Sequence, residues 1–267
     1  MSLFGIHALA VSPDGSWAGV ERAVDQLTEA GIRAVEVPLG APGRNGAVRL
    51  ADFAARNAWT LLPSLTLPPG LDIREDLDEA LDFLGGVLRD CATMGAGTLG
   101  GQIAGTGVAA DREKGLDSLS RFFERAARLA RASGIELRVE PATRWETPLI
   151  TCAADAVALV ERVGAENLVI GLDSFAMQSE EASFAKAFET AEPFLRFVRL
   201  GESHRGLPGT GMMPWKALFE PLDAMGYKGP AVLHVKPAHG VVRLEALLEE
   251  GLPALREEAK AAGFTLG

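Results

Sequence analysis

Short apolar runs alternate with helix-like segments along the whole chain, and this repetition most restricts the folds open to it. Helix-like spacing of apolar residues follows the runs, most clearly over Trp17–Ala30 and Leu77–Cys91. Eight strand-then-helix units in 267 residues predict an α/β fold, the closed (β/α)₈ or TIM barrel, as one domain over residues 1–267. The predicted strands lie at residues 3–8, 33–39, 59–67, 98–103, 135–140, 167–173, 194–200 and 229–236.

A doubly wound open sheet is the alternative fold. Such a sheet normally has fewer strands and carries a glycine-rich, phosphate-binding turn after the first strand. Here that position reads Leu9-Ala-Val-Ser-Pro-Asp-Gly15. We also expect a helix at Glu180–Thr190, a helix at Pro214–Met225 and a last helix at Leu244–Ala262, with no linker between domains.

Charge and cysteine content exclude several classes of partner and site. A net charge of -10 argues against nucleic acid and anionic membranes, because no basic stripe offsets phosphate repulsion. Cys91 and Cys152 are too few for a disulfide framework or a thiolate metal site. No apolar run approaches the roughly 20 residues that span a bilayer, and the N-terminus lacks a secretory pattern. These features predict a cytoplasmic, soluble protein and say nothing about a small neutral ligand.

Ionisable residues gather at the ends of five predicted strands. In a TIM barrel, functional groups lie at the carboxyl ends of the strands, where the eight loops meet. Alternation along each strand places Arg138 with Glu140, and His234 with Lys236, on one side. We therefore expect these charges to point into the barrel. The strand-end candidates are Glu36, Glu140, Asp173, Arg199, Glu202, His234 and Lys236.

Three separated segments resemble the signature motifs of the D-tagatose 3-epimerase family, which belongs to the xylose isomerase-like barrels. They read Val139-Glu140-Pro-Ala-Thr-Arg144-Trp-Glu146, then Leu172-Asp173-Ser-Phe-Ala-Met177, then Leu200-Gly-Glu202-Ser-His-Arg205-Gly-Leu-Pro-Gly-Thr-Gly-Met-Met-Pro-Trp215. The order and spacing of the segments agree with that family, and the resemblance covers nearly the whole chain.

That resemblance implies a xylose isomerase-like fold and a sugar or sugar derivative as substrate. Enzymes of the family hold a divalent cation, such as manganese, magnesium or cobalt, with carboxylates that correspond to Glu140 and Asp173. A pair of glutamates, the first matching Glu140, moves a proton beside a ketose carbonyl. Glu146 and Arg205 match residues that bind sugar hydroxyls. Members often form homodimers or homotetramers.

The chain departs from the family at three positions of this site. Arg199 stands where the family has a metal-binding His, His234 where it has the second catalytic Glu, and Ala176 replaces another His. A guanidinium has no lone pair for a metal. A shifted alignment would instead put Lys236 in the place of the second Glu.

Two arrangements stay open at this point. In one, a metal is held by Glu140, Asp173 and His234. In the other, Arg199 replaces the metal and offers its planar fork to a carboxylate or enediolate oxygen. Then His234 or Lys236 acts opposite Glu140 as acid or base, and an anionic substrate is favoured over a neutral ketose.

The remaining candidates are loop and strand-end side chains. We expect Glu146, Arg199, Glu202, Arg205 and Lys236 to contact substrate, and Trp145 to line a sugar-sized pocket. His7, on an apolar strand, is interpreted as a core residue, and His204 and His239 as loop residues.

Three functions are compatible with these residues. The first is an isomerase or epimerase that uses Glu140 and His234 as its catalytic residues. The second is a lyase or dehydratase acting on a keto-sugar or keto-polyol after the same first proton abstraction. The third is a sugar-binding barrel that has lost catalysis, as the three departures at the metal site allow.

Overall fold

A computed structural model describes residues 2–12, 17–40, 46–68, 70–71, 73, 76–102, 112–236 and 242–267. Eight parallel strands pair in chain order and close when β8 pairs with β1, with Phe4 opposite Ala231. The closed barrel confirms the predicted fold class and excludes the open sheet. The strands are β1 Phe4–His7, β2 Ala34–Leu39, β3 Thr60–Thr66, β4 Thr98–Gln102, β5 Glu136–Val139, β6 Leu168–Asp173, β7 Leu195–Leu200 and β8 Ala231–Leu233.

Helices surround the barrel and bury their apolar faces against the strands. Gly164, with φ of 65°, ends one of them in the left-handed conformation that glycine adopts without steric cost. A π-helical turn at Leu247–Gly251 joins the last two helices. The helices are α1 Trp17–Glu29, α2 Ala47–Asn57, α3 Leu77–Thr93, α4 Arg112–Ala132, α5 Ala153–Val163, α6 Ser174–Glu180, α7 Phe184–Ala191, α8 Trp215–Ala224, α9 Leu244–Ala246 and α10 Leu252–Ala261.

The segment between β6 and β7 differs from the sequence prediction. One helix was expected at Glu180–Thr190, but the chain forms α6 directly after β6 and then α7. The carboxylate of Asp173 accepts the Phe175 N–H (3.0 Å) and so caps α6, while Ser183 caps α7. The predicted helix corresponds to α7, and the additional helix α6 was missed because Asp173 was considered only as a site residue, although Asp is also a strong helix cap.

Strand β8 is shorter than predicted, and this changes where two candidates point. The strand was expected to reach Lys236 but ends at Leu233. Beyond it the Lys236 N–H donates to the Arg205 carbonyl (2.7 Å), so the chain turns toward the loop after β7. His234 is half-buried and Lys236 is exposed. The expectation that alternation puts both side chains inside the barrel was therefore wrong for Lys236, whereas the His234 ring stacks on His7 of β1.

The barrel interior has an apolar layer beneath a layer of charges. Ala34, Leu62, Phe197 and Val232, from four strands, form a small inner cluster. The guanidinium of Arg138 lies 3.9 Å from the centre of the Phe197 ring. Charged groups therefore begin directly above the inner apolar layer, on the side where the strands end.

Within the described ranges, none of the helices combines the length and the apolar character that crossing a bilayer requires.

Candidate active site

The guanidinium of Arg199 lies at the centre of the charged layer. Its Nε donates to Glu36 Oε2 (3.0 Å), and its Nη2 bonds the other Glu36 oxygen. On the opposite side, its Nη1 lies 2.8 Å from Glu140 Oε2 and 3.5 Å from Asp173 Oδ2. Carboxylates from three strands thus converge on one arginine. The predicted partners Glu140 and Asp173 are present, and Glu36 completes the set.

Arg205 forms a second cationic position beside Asp173. Its Nη2 and Nη1 lie 2.7 and 3.2 Å from the two Asp173 oxygens, and its guanidinium stacks 4.2 Å from the Phe175 ring. The Arg205 backbone has φ of 59°, a left-handed conformation that costs a non-glycine residue of order 1 kcal/mol. Strain of this kind persists where surrounding contacts fix the residue. The contacts with Asp173 and Phe175 hold Arg205 over the site in spite of this strain.

Arg138 holds Glu140 from below and is only 1% exposed. Its Nε donates to Glu140 Oε1 (3.2 Å), and its Nη1 to Thr98 Oγ1 (3.3 Å). Glu140 is therefore fixed between two guanidinium groups, one on each oxygen. Gly100 on β4 leaves the space for this pair, because a Cβ there would lie 2.3 Å from both Arg138 Nε and Glu140 Oε1.

We expect Gly100→Ala to displace the Glu140 carboxylate and, through the catalytic role that the sequence predicts for Glu140, to reduce turnover far more than it reduces stability. A Cβ at 2.3 Å must push either buried charged group, and misplacement of a reacting group by about 1 Å can cost on the order of 10²-fold in rate. Steady-state kinetics and urea unfolding would measure the two effects. Gly97→Ala, whose Cβ would meet nothing within 4 Å, is the control. Unchanged turnover of the Gly100 variant would contradict this account of Glu140.

Two histidines stack beside the arginines. The rings of His7 and His234 lie 4.1 Å apart at 26°. His234 Nδ1 lies 3.2 Å from Arg205 Nη1, and because a guanidinium only donates, Nδ1 accepts and the neutral ring carries its proton on Nε2. Among the described residues, this Nε2 has no hydrogen-bond partner although it is buried. It is a buried donor that no described residue satisfies.

Both histidines are held neutral at pH 7. Burial is the main cause that lowers the pKa of His7 from 6.5 to about 4, and Arg199 and Arg205 add to it while Glu36 opposes it. Burial, then His7 and the same two arginines, lowers the pKa of His234 well below its usual value. His7 also accepts the Leu9 N–H at Nδ1 (3.2 Å). It was interpreted as a core residue, and it is buried, but it also packs against a site residue.

We expect His7→Asn to flatten the pH dependence of stability between pH 6.5 and pH 4. The unfolded chain takes up the His7 proton near pH 6.5, whereas the folded chain resists it down to about pH 4. The stability that depends on neutral His7 is therefore full above pH 6.5 and is lost as the pH falls to 4, by about 3 kcal/mol. Urea unfolding at pH 7 and pH 4.5 would measure it, with the exposed His204→Asn as the control. Equal pH slopes for His7→Asn and wild type would contradict the prediction.

The residues present do not fit a divalent cation. The three predicted ligands, Glu140, Asp173 and His234, each face an arginine nitrogen at 2.7 to 3.2 Å. Among the described residues, no group of three or more His, Cys, Asp or Glu has the arrangement of a metal site. A cation placed there would meet Arg199 and Arg205, which cannot act as ligands. The contacts of Arg199 with Glu140 and Asp173 are those expected of the second arrangement left open by the sequence, but its planar fork binds Glu36.

Glu202 has a different role from the substrate contact that was predicted. It is 1% exposed, and its carboxylate accepts hydrogen bonds from the loop that follows it. Those N–H groups hold the pKa of Glu202 below its usual value, although burial alone would raise it. Both oxygens are used within the loop, so Glu202 shapes the loop that carries Arg205. The donors are the N–H groups of Ser203 (2.8 Å), Met213 (2.9 Å), Gly209 (3.1 Å) and the Trp215 indole (3.1 Å).

The other predicted substrate contacts lie at the rim of the barrel. Trp145 is 78% exposed on the loop after β5, and the neighbouring Glu146 accepts from the Thr143 hydroxyl (2.8 Å). Lys236 is exposed beyond β8. His239, a loop candidate, lies outside the described residues. For Glu146, Lys236 and Trp145, contact with substrate stays a prediction.

Three residues of the site had no functional assignment in the sequence analysis. Glu36 was noted only as a strand-end charge, Arg138 only as a neighbour of Glu140, and His7 as a core residue. A signal was available for the first two, since a charged residue inside an otherwise apolar strand is almost never buried without a partner. The identity of that partner was not readable, because Glu36 and Arg199 are 163 positions apart.

Comparisons with known proteins identify the family of the chain. Residues 24–258 match the family described as xylose isomerase-like TIM barrel. The L-ribulose 3-epimerase of Mesorhizobium japonicum is 30% identical over 236 residues, covering 85% of this chain and 79% of that protein. The ketose 3-epimerase of Arthrobacter globiformis is also 30% identical, over 241 residues that cover 85% of this chain and 81% of that protein.

Solved structures give the same grouping. A structure of L-ribulose 3-epimerase superposes with a TM-score of 0.88 at 26% identity and covers 98% of this chain and 96% of its own. The D-allulose 3-epimerase of Methylomonas sp., solved in complex with D-allulose, superposes with a TM-score of 0.83 at 25% identity, covering 98% and 94% of the two chains.

Proposed function

We propose that this chain moves a proton at the carbon beside a ketose carbonyl. The chain belongs to the xylose isomerase-like TIM barrel family and groups with its ketose 3-epimerase-like sugar isomerases and epimerases. The observation that carries the proposal is the convergence of Glu140, Arg199, Arg205 and His234 at the carboxyl end of the barrel. Removing such a proton needs a base, a donor to the carbonyl oxygen and positive charge for the enediolate. These four side chains provide all three.

Glu140 is the base in this proposal, and His234 is the donor opposite it. The Glu140 carboxylate accepts the proton while Arg138 and Arg199 fix its position. The neutral imidazole of His234 donates from Nε2 to the substrate oxygen, and its other nitrogen is held by Arg205. Lys236, the alternative partner, is exposed beyond the end of β8, so the geometry favours His234.

The charge balance of the site favours a neutral ketose over an anionic substrate. Three carboxylates, Glu36, Glu140 and Asp173, are matched by three guanidinium groups, those of Arg138, Arg199 and Arg205. The planar fork of Arg199 binds both oxygens of Glu36 and so is not open to a substrate carboxylate. We therefore propose a neutral sugar as the substrate, in place of the acidic derivative that the sequence favoured for the arginine arrangement.

The test is to incubate the protein with a panel of ketoses in D₂O and to follow them by proton NMR and mass spectrometry. We expect one solvent deuterium at the carbon beside the carbonyl and a product of otherwise unchanged composition. Loss of water from the sugar would instead identify the dehydratase alternative. Saturable binding without exchange or product, for every ketose tested, would leave only the non-catalytic alternative and would reject the proposal.

A further inference from the structure

The oxygen set around Arg199 is of the kind that binds a cation. Glu36 on β2, Glu140 just after β5 and Asp173 on β6 place carboxylate oxygens at 3.0, 2.8 and 3.5 Å from the Arg199 nitrogens. Carboxylates from separate strands facing one point would suit a hard divalent ion. Here the positive charge at that point comes from the side chain of Arg199 on β7.

Glu36 fixes Arg199 in this position. Its carboxylate is fully buried, and both of its oxygens bond Arg199. If Arg199 turned away, this carboxylate, at 0% exposure, would lose both of the hydrogen bonds that it accepts from Arg199. The pair therefore opposes the movement that a metal would require.

The charges around the site leave no excess negative charge for a metal to neutralise. The three carboxylates are balanced by Arg138, Arg199 and Arg205, all within 3.5 Å of at least one of them. A divalent ion would add two positive charges beside two guanidinium groups that have no lone pair to offer.

We infer that Arg199, positioned by Glu36, is a built-in cation that takes the place of a divalent metal in this barrel. The exclusion of a metal depends only on the residues of the site and not on the proposed function. The further step, that Arg199 stabilises the enediolate, rests on the proposed function. Glu36 is then a positioning residue, which acts through Arg199 and does not touch the substrate.

In the test, the wild-type protein is purified without chelator and titrated with Mn²⁺. Binding is measured by calorimetry and by thermal unfolding. We expect metal content far below one ion per chain, no saturable heat and no change in Tm with Mn²⁺ or EDTA. Near-stoichiometric metal with a Tm that rises on Mn²⁺ addition would overturn the inference. This arm uses the unaltered protein and does not depend on any variant folding.

A variant arm tests the carboxylate set directly. Arg199→His removes the guanidinium and supplies a neutral ligand, so we expect it to gain a Tm that rises with Mn²⁺. Arg196→His, on the same strand but exposed, is the matched control and should gain nothing. A folded Arg199→His variant that is indifferent to Mn²⁺ would count against the inference, because the carboxylates would then not form a cation site.

Activity separates this inference from the proposed function. Ketose turnover that persists at full rate in EDTA supports both. Turnover that appears only after Mn²⁺ is added overturns the built-in cation while the proposed function stands. If no ketose is converted with or without Mn²⁺, the proposed function fails, and the Mn²⁺ titration still decides whether Arg199 replaces the metal.

Discussion

Glu140→Gln should lower ketose turnover by about 10² to 10⁴-fold, the range typical for loss of a positioned general base. The amide keeps the shape of the carboxylate but cannot accept the substrate proton. Because the carboxylate is held on both sides, by Arg138 and Arg199, no other described carboxylate can move easily into its place. The measurement is the rate of deuterium exchange in D₂O together with kcat and KM. We expect kcat to fall while KM stays within a few fold.

The control for this variant lies on the same strand. Glu136→Gln makes the same change at the first residue of β5, at the opposite end of the barrel from the site, and should leave kcat unchanged. Unfolding of both variants in urea would show whether loss of the Glu140 charge, which leaves buried Arg138 without its carboxylate partner, also weakens the fold. A Glu140→Gln protein that is folded and retains the wild-type exchange rate would remove Glu140 from the mechanism.

The barrel could be predicted from sequence because its signal is repeated and local. Each strand and helix has its own apolar period, and eight consecutive units leave few other topologies. The failures lie where tertiary contacts override the local pattern. Asp173 caps α6 instead of leaving a loop, and the chain after Leu233 bonds the Arg205 carbonyl instead of extending β8.

The site was predictable in position but not in connectivity. The rule that strand ends carry the chemistry places Glu140, Asp173 and Arg199 together correctly. It does not say which carboxylate binds which guanidinium, since that depends on distances of a few ångströms between residues far apart in the chain. For the same reason, the sequence left the metal and the arginine arrangements open, and the contact of Arg199 with Glu36 supports the proposal of the arginine arrangement.

Glu36→Gln is expected to have the largest effect on stability. Removing one partner of a buried ion pair leaves an uncompensated charge and typically costs about 3–5 kcal/mol. Arg199 lowers the pKa of Glu36 to about 2 despite complete burial, so this stability is present above pH 4.5 and is lost as the pH falls toward 2. Urea unfolding at pH 7 would measure the loss. Glu21→Gln, in the exposed pair with Arg49, removes the same kind of contact and should cost less than about 1 kcal/mol.

A double-mutant cycle shows whether this loss comes from the pair itself. In Glu36→Gln/Arg199→Gln both charges are gone, so we expect the double variant to be more stable than the sum of the two single losses predicts, by about 1 to 3 kcal/mol. The excess measures how strongly Glu36 holds Arg199 in place, because the two residues contact each other directly. Additive losses would mean that Arg199 is positioned mainly by Glu140 and Asp173. Arg199 could then move without exposing the Glu36 charge, and Glu36 would not oppose the entry of a metal.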